Sequence, residues 1–223
     1  MARVITVDGP SGSGKGTLAR LVAGRLGWHC LDSGALYRLL GLAVERSGIG
    51  FDDPEGVAAL ARGMQVEFRG DAIYLDGGDV SLLIRTETAG NNASKVAAIP
   101  AVREALLQWQ RDYARPPGLV VDGRDMGSVV FPAAEVKIFL DASAEERANR
   151  RYKQLKEKGL DAKLPDLIAE IEERDARDRN RSVAPLMAPD GALVVDSTAL
   201  SITEVLDLVL ERVRGVFFPD TAI

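Results

Sequence analysis

The amino-acid sequence predicts an α/β fold in which a parallel β-sheet is covered by helices on both faces. Short segments rich in valine, isoleucine and leucine alternate along the chain with amphipathic helical segments, as they do in buried parallel sheets. Several of these short segments end in an aspartate, and a glycine-rich stretch follows the first one. Because such sheets bind ligands outside the carboxyl ends of their strands, we expect the functional site at that edge.

The first strand and the first helix are predicted near the N-terminus. Val4-Ile5-Thr6-Val7 is short, mostly β-branched and followed by glycines, which is typical of a strand buried on both faces. From Lys15 onward, apolar residues recur at helical spacing and stop at Gly27, a residue suited to a helix C-terminus. Three further strands of the same kind are predicted at residues 118–122, 136–141 and 193–196.

Two other regions complete the predicted architecture. Ser201 and Glu204 have the spacing of a capping box, and the apolar residues after them predict a closing amphipathic helix. Between residues 64 and 85 the pattern changes to short alternating segments around the turn-rich sequences 69–71 and 76–79. We interpret this region as a small antiparallel β insertion.

Composition and charge exclude several classes of protein. The chain has 223 residues, 46% hydrophobic and 27% charged, which is ordinary for a globular protein and excludes wholesale disorder. A net charge of −5 argues against a protein that wraps nucleic acid. The single cysteine, Cys30, cannot form an internal disulfide, and the sequence has neither a secretion signal nor a run long enough to span a membrane. We therefore expect a cytoplasmic protein without nucleic-acid or membrane partners. As a separate expectation, we take it to be a monomer.

The glycine-rich stretch Gly9-Pro10-Ser11-Gly12-Ser13-Gly14-Lys15-Gly16-Thr17 has the spacing of a phosphate-binding loop. Its glycines allow successive N–H groups to turn toward phosphate oxygens at a helix N-terminus, and Lys15 adds a positive charge. The alternative is a glycine-rich turn without a ligand, which the strand before it and the helix after it disfavour. The dinucleotide fingerprint fits less well, because Thr17 occupies the position of its third glycine. The loop therefore predicts ATP binding and phosphoryl transfer.

The residue after the lysine departs from the general loop. Gly16 stands where the serine or threonine that holds Mg²⁺ is usual, and the hydroxyl comes one residue later, at Thr17. This Gly-Lys-Gly-Thr form resembles that of nucleoside monophosphate kinases rather than that of switch GTPases. We expect ATP and Mg²⁺ as cofactors, with Thr17 as a metal ligand.

Arginines follow the predicted elements at places where a second phosphate would need them. They are Arg38, Arg103 and Arg124. A guanidinium group holds phosphate oxygens in a bidentate fork, which suits an acceptor phosphate that is aligned with ATP. For any one of these arginines, a surface ion pair is the alternative.

A charged helix is predicted over residues 165–181. Its inward face is predicted from residues at intervals of four, three, four and three: Leu167, Ile171, Arg174, Asp178 and Arg181. The alternative is a solvated helix with ion pairs between successive turns. Arg147, Arg150 and Arg151 open the same region, where a closing segment would neutralise the transferring phosphoryl group and exclude water. We assign Arg147 and Arg151 to ATP.

Taken together, these segments resemble the bacterial cytidylate kinase family over nearly the whole chain. The resemblance is carried by Asp8 through Thr17, Leu31 through Arg38, Asn92-Ala93-Ser94, Val102 through Leu106, Asp122 through Gly127, and Arg174 through Arg181. It implies a P-loop kinase fold with a five-stranded parallel sheet, a small antiparallel β insertion and a helical lid. The implied core comprises residues 1–62, 86–145 and 182–223, the insertion of the CMP-binding domain comprises 63–85, and the lid comprises 146–181.

The resemblance also implies an activity, the transfer of the γ-phosphoryl group of ATP to CMP or dCMP. The implied catalytic residues are Lys15, Asp122, Arg124 and Arg181, with Asp122 close to the metal. The implied acceptor-binding residues are Ser11, Ser33, Arg38, Ser94, Arg103, Arg124, Asp125, Arg174, Asp178 and Arg181. Among them, Ser94, Arg103 and Asp125 would contact cytosine, whose amine suits a carboxylate and whose two acceptors suit an arginine.

Two alternatives stay open at this point. One is a related kinase that acts on UMP, AMP or a hydroxyl acceptor, which the pair Arg103 and Asp125 disfavours. The other is a nucleotide-dependent switch or regulatory module without a phosphoryl acceptor, which the acceptor-side arginines and the β insertion disfavour.

Overall fold

The structure is a computed structural model that describes residues 2–69, 72–157, 159 and 161–219. The strands are β1 (Arg3–Asp8), β2 (His29–Asp32), β3 (Val66–Arg69), β4 (Ala72–Leu75), β5 (Gly78–Asp79), β6 (Gly118–Gly123), β7 (Val136–Asp141) and β8 (Leu193–Asp196). The helices are α1 (Lys15–Leu26), α2 (Ser33–Ser47), α3 (Pro54–Gly63), α4 (Glu87–Ala97), α5 (Pro100–Asp112), α6 (Ala144–Glu157), α7 (Leu164–Arg179) and α8 (Ile202–Phe217). A 3₁₀ turn spans Leu83–Arg85 and a π-helical turn spans Met126–Val130.

The chain divides into two compact units. The first comprises the residues up to Leu31 together with those from Tyr113 onward, and the second is Asp32–Asp112. The functional boundaries expected from the sequence, with an insertion at 63–85 and a lid at 146–181, stay predictions. Within the described ranges, no helix has the length and apolar character that crossing a membrane requires.

A five-stranded sheet in the order β2-β6-β1-β7-β8 forms the framework of the first unit. Central β1 pairs in parallel with β6 and β7, and Asp8 aligns with Gly123 on one side and Phe139 on the other. The ends of these strands therefore lie at one edge of the sheet. The predicted five-stranded parallel sheet with flanking helices is confirmed.

Apolar side chains of α1 and α8 pack against this sheet. Leu18 and Val22 of α1 and Val209 of α8 form one buried cluster with Ile5 and Ile138, and removing these side chains from water stabilises the layers. Both predicted helix boundaries are confirmed. Helix α1 ends before a Gly27 with a φ of +66°, and α8 begins with the complete capping box of Ser201 and Glu204.

Helix α7 follows the predicted inward face only in part. Leu167 and Asp178 are buried, as expected, but the helix ends at Arg179, so Arg181 lies beyond it. The chain turns back here, because Leu186 N–H donates to the Asp178 carbonyl at 2.9 Å. Arg181 Nε donates to the same carbonyl at 3.2 Å, which keeps Arg181 beside the helix end.

The second unit contains helices α2 to α5 and a three-stranded antiparallel sheet in the order β3-β4-β5. Val66 pairs with Leu75, so the predicted antiparallel β structure of this region is confirmed. The turn predicted at Gly70 and Asp71 lies outside the described residues. Helices α2 and α4 approach closely at Gly41, where a Cβ atom would lie 2.9 Å from Asn92 Cβ.

Candidate active site

The phosphate loop lies between β1 and α1 and depends on glycines with positive φ. Gly9 has a φ of +154°, and a Cβ atom there would overlap the backbone carbonyl of Leu140. Gly14, the N-cap residue of α1, has a φ of +93°. The Lys15 side chain is buried, and its Nζ donates to the Pro10 carbonyl at 3.3 Å. The lysine thus folds back over the loop from the helix N-terminus, which is itself an anion-binding position.

Asp122 lies near the end of β6, against the first turn of α1. It is buried, and a Cβ atom on Gly16 would lie 3.7 Å from its Oδ2. Thr17 is exposed on the same turn, and Arg20 Nη2 donates to its Oγ1 at 3.5 Å. Carboxylate and hydroxyl oxygens suit Mg²⁺. No group of three or more His, Cys, Asp or Glu residues that could hold a metal occurs in the described part of the chain, so bound Mg²⁺ would also need water or phosphate oxygens.

Asp178 of α7 holds Arg124, which follows β6. Arg124 Nε donates to Asp178 Oδ2 at 2.9 Å, in a pair that is largely withdrawn from water. Burial of Asp178 acts to raise its pKa, but the positive charges of Arg124, Arg181 and Arg174 outweigh burial and leave the pKa below its ordinary value. Asp178 is therefore an anion among three arginines.

Asp8 ends β1 immediately before the phosphate loop and is fully buried. Its Oδ1 accepts from Met126 N–H and its Oδ2 from Gly127 N–H, both at 2.8 Å. Burial raises the pKa of Asp8 to about 6, although these two N–H groups lower it. The negative charge of Asp125 raises this pKa further, and the positive charge of Arg124 lowers it. Asp125 itself is buried.

Arg147 of α6 connects the phosphate loop to α7. Only 2% of the residue is exposed. Its Nη1 donates to the Ser11 carbonyl at 3.0 Å and to Asp175 Oδ1 at 3.1 Å, and its Nη2 donates to Asp175 Oδ2. Its Nε donates to the Ala142 carbonyl at 2.9 Å. The predicted ATP contact of Arg147 is untested, and the structure adds an anchoring contact to the loop backbone.

Arg150, one turn further along α6, contacts the same loop. Its Nη1 donates to the Ser13 carbonyl at 3.3 Å, and its Nη2 donates to the Ser197 carbonyl at 2.6 Å. Arg151 is half-buried on α6, as Arg174 is on α7. Two of the arginines on α6, Arg147 and Arg150, therefore donate to backbone carbonyls of the phosphate loop.

The second unit carries its predicted residues on α2, α4 and α5. Ser33 begins α2 and Ser94 lies on α4, and both are buried. Arg38 Nη1 donates to the Ile84 carbonyl at 3.4 Å. Arg103 is buried, donates to the Ala97 carbonyl at 3.2 Å and lies over the ring of Tyr37 at 5.8 Å. These side chains are held by contacts within the unit.

Two residues that contribute to this arrangement were not among the predicted site residues, the buried carboxylates Asp8 and Asp175. Arg150 was predicted as part of the closing segment without an assigned ligand, and the structure adds its contact with the loop backbone. Asp8 had a weak signal, since it ends a predicted strand. Asp175 had another, since it lies four residues after Ile171 at helical spacing.

Comparisons with known proteins agree with one another. Residues 5–215 match the sequence profile of the family described as cytidylate kinase. A cytidylate kinase of Aeromonas hydrophila is 60% identical over 94% of this chain and 93% of its own length. One of Colwellia psychrerythraea is 55% identical over 95% of this chain and 96% of its own length. An uncharacterized protein from Eubacterium ventriosum, of solved structure, has the same fold with a TM-score of 0.53, at 11% identity over 96% of this chain and 99% of its own. This chain therefore belongs to the cytidylate kinase family.

Proposed function

We propose that this chain transfers the γ-phosphoryl group of ATP to CMP or dCMP, giving ADP and CDP or dCDP. The observation that carries this proposal is the high identity, over almost the whole chain, to relatives named cytidylate kinase. The glycine loop, with a buried lysine at its helix N-terminus, supports the same activity, because this arrangement suits the phosphates of a nucleotide.

For ATP, we propose that the loop residues Gly9 to Thr17 hold the phosphates and that Lys15 neutralises charge on the transferring group. Arg147 and Arg151 of α6 are also proposed to bind ATP. Thr17 and Asp122 are proposed for Mg²⁺, which would neutralise phosphate charge when bound. The Thr17 hydroxyl on the first turn of α1 and the Asp122 carboxylate beside that turn support this assignment, because both can coordinate a metal through oxygen.

For the acceptor phosphate and ribose, we propose Arg124, Arg174, Asp178 and Arg181 in the first unit, with Ser11 of the loop. The concentration of arginines around Asp178 supports this proposal, since guanidinium groups bind phosphate oxygens in a bidentate manner. Ser33 and Arg38 are proposed for the acceptor in the second unit. The acceptor phosphate oxygen is already an anion, so we nominate no general base, and positioning with charge neutralisation supplies the rate.

For the base, we propose Ser94, Arg103 and Asp125. Cytosine presents an amine donor beside two acceptors, which suits a carboxylate and a guanidinium. Uracil would place a carbonyl against Asp125 and an N–H against Arg103. Mismatched buried groups of this kind cost about 1–3 kcal/mol each. The burial of all three side chains supports a role in selectivity.

We further propose that the chain acts as a monomer in the cytoplasm on small nucleotides alone. The acidic net charge of −5 supports the absence of a nucleic-acid partner. Elution of the purified protein at a dimer mass in size-exclusion chromatography with light scattering would contradict the monomer.

A coupled ADP-release assay with Mg-ATP tests the function. CMP and dCMP should each give one ADP per CDP or dCDP formed, and UMP and AMP should react far more slowly. Lys15→Met should lower kcat by about a hundredfold or more, since it removes charge stabilisation of the transferring group, whereas the exposed Lys153→Met should not. Slow ADP release that is independent of CMP would instead indicate a nucleotide-dependent switch, and a preference for UMP or AMP would indicate a related kinase.

A further inference from the structure

Asp8 is a fully buried carboxylate that the proposed phosphoryl transfer does not use. It is the last residue of β1, and the phosphate loop begins at the next residue. A buried carboxylate is costly unless its oxygens are hydrogen-bonded. The groups that donate hydrogen bonds to Asp8 therefore indicate its structural role.

Both oxygens of Asp8 bind the beginning of one turn. Met126 and Gly127 are the first two residues of the π-helical turn Met126–Val130, and their N–H groups donate to Oδ1 and Oδ2 at 2.8 Å. First-turn N–H groups have no partner within their own helix and need a cap. Asp125 is the N-cap residue, but its side chain makes no capping hydrogen bond. Asp8, 118 residues away in sequence, caps the turn instead.

The turn also packs directly on β1. A Cβ atom on Gly127 would lie 2.7 Å from Thr6 Oγ1 and 2.9 Å from Pro189 Cγ, which is closer than such atoms can approach. The turn can therefore occupy this place only with a glycine at position 127. Hydrogen bonds and close packing act together to fix the turn on the end of the strand.

The two residues before this turn, Arg124 and Asp125, are proposed to contact the acceptor. Both interact electrostatically with Asp8: after burial and the two N–H groups, their charges are the next influences on its pKa. Asp8 is thus linked to Arg124 and Asp125 in two ways. It interacts with their charges, and it caps the turn that directly follows them in the chain. With both oxygens accepting from N–H groups, it is not arranged to take a proton from substrate.

We propose that Asp8 is a positioning residue that fixes the turn Met126–Val130, and with it Arg124 and Asp125, against the start of the phosphate loop. This inference rests on the proposed acceptor roles of Arg124 and Asp125. Through Asp8, the strand that leads into the ATP-binding loop also sets the place of the acceptor-binding residues. Displacement of a positioned group by about 1 Å can cost about a hundredfold in rate.

Asp8→Asn is the direct test, because the amide keeps the shape of the side chain but turns one acceptor into a donor that faces an N–H group. Steady-state kinetics should show kcat/KM for CMP lowered by about ten- to a hundredfold. KM for ATP should stay within about threefold of its original value, and the preference for CMP over UMP should shrink. Asp196→Asn is the matched control. Asp196 also ends a strand of this sheet, and its Oδ1 accepts a hydrogen bond from Thr198 N–H.

A lowered melting temperature with unchanged CMP kinetics and unchanged selectivity would overturn the proposal, because a merely structural role predicts that result. Gly127→Ala displaces the same turn and leaves the carboxylate intact, so it should reproduce the loss toward CMP. If neither variant folds, NMR of the wild-type protein decides the matter. Saturating CMP should shift the amide signals of Met126 and Gly127, and unmoved signals would refute the role.

Arg124→Lys and Asp125→Ala distinguish this inference from the proposed function. If both variants keep normal CMP kinetics, the acceptor roles themselves are wrong. If both lose CMP efficiency while Asp8→Asn does not, only the positioning role of Asp8 is wrong.

Discussion

At the scale of single residues, Asp8 and Asp178 show how the surroundings of a buried carboxylate set its charge. Burial dominates at Asp8 and raises its pKa from 3.8 to about 6, although two N–H groups oppose it. Burial acts in the same direction at Asp178, but three arginines outweigh it and the pKa falls. Asp178 therefore stays ionised down to lower pH than an ordinary aspartate, whereas Asp8 takes up a proton in mildly acidic solution.

The raised pKa of Asp8 predicts a pH dependence of stability. Between pH 3.8 and about pH 6, folded Asp8 keeps a proton that the unfolded chain has released. Its contribution to the free energy of unfolding is therefore fully present below this window and is lost as the pH rises through it. The difference between wild type and Asp8→Asn in urea denaturation should fall across the window by on the order of 3 kcal/mol. A difference that is constant from pH 4 to 7 would contradict the prediction.

Asp125→Ala tests the proposed reading of cytosine. Loss of the carboxylate removes the acceptor for the cytosine amine and also the group that would oppose the uracil carbonyl. We expect kcat/KM for CMP to fall about ten- to a hundredfold and the lead of CMP over UMP to narrow. Coupled assays with both nucleotides measure this, and intact CMP selectivity would show that another residue reads the base.

The sequence identifies candidate site residues where a local motif carries them, and their roles stay predictions. The loop glycines, Lys15 and the region after β6 belong to contiguous patterns whose chemistry is readable without a structure. It predicts Asp8 and Asp175 poorly, because their partners lie 118 and 28 residues away. A carboxylate carries no local mark of the distant N–H or guanidinium group that it will meet.

At the scale of structural elements, the phosphate loop depends on backbone conformations that side chains resist. Gly9→Ala should lower kcat/KM for ATP by at least about a hundredfold, because the new Cβ atom would meet the Leu140 carbonyl and displace the loop. Gly24→Ala is the matched control, since nothing lies within 4 Å of a Cβ atom there. Within α1 it should raise stability by about 0.5–1 kcal/mol. Equal kinetics for the two variants would contradict the role of the Gly9 conformation.

The elements that the sequence predicts are those with strong periodicity or capping signals. Strands β1, β6, β7 and β8 are apolar runs, and α8 has its capping box. Strand β2, His29–Asp32, gives no such signal, because it has no β-branched residue and lies at the edge of the sheet. The π-helical turn Met126–Val130 also has no signal in its own sequence, because the residue that caps it, Asp8, lies on β1.

At the scale of the whole molecule, contacts between residues far apart in sequence connect helices α6 and α7 to the phosphate loop. Arg147 joins three segments, at Ser11, Ala142 and Asp175. The residue pair Arg147 and Asp175 is almost fully buried. A buried ion pair contributes little net stability when it is compared with apolar side chains, but the loss of one partner leaves an uncompensated charge.

This asymmetry predicts the outcome of a double-mutant cycle. Arg147→Met and Asp175→Leu should each lower the free energy of unfolding by about 3–5 kcal/mol, because each leaves the other charge buried and unpaired. The double variant should be destabilised by much less than the sum, since neither charge remains. The exposed pair Arg69 and Glu67 is the control, and its removal should leave stability almost unchanged, because water screens the two charges. Urea denaturation measures all of these variants. Additive losses at Arg147 and Asp175 would show that the two residues stabilise the protein through separate contacts, and that α7 is not anchored to the loop through this pair.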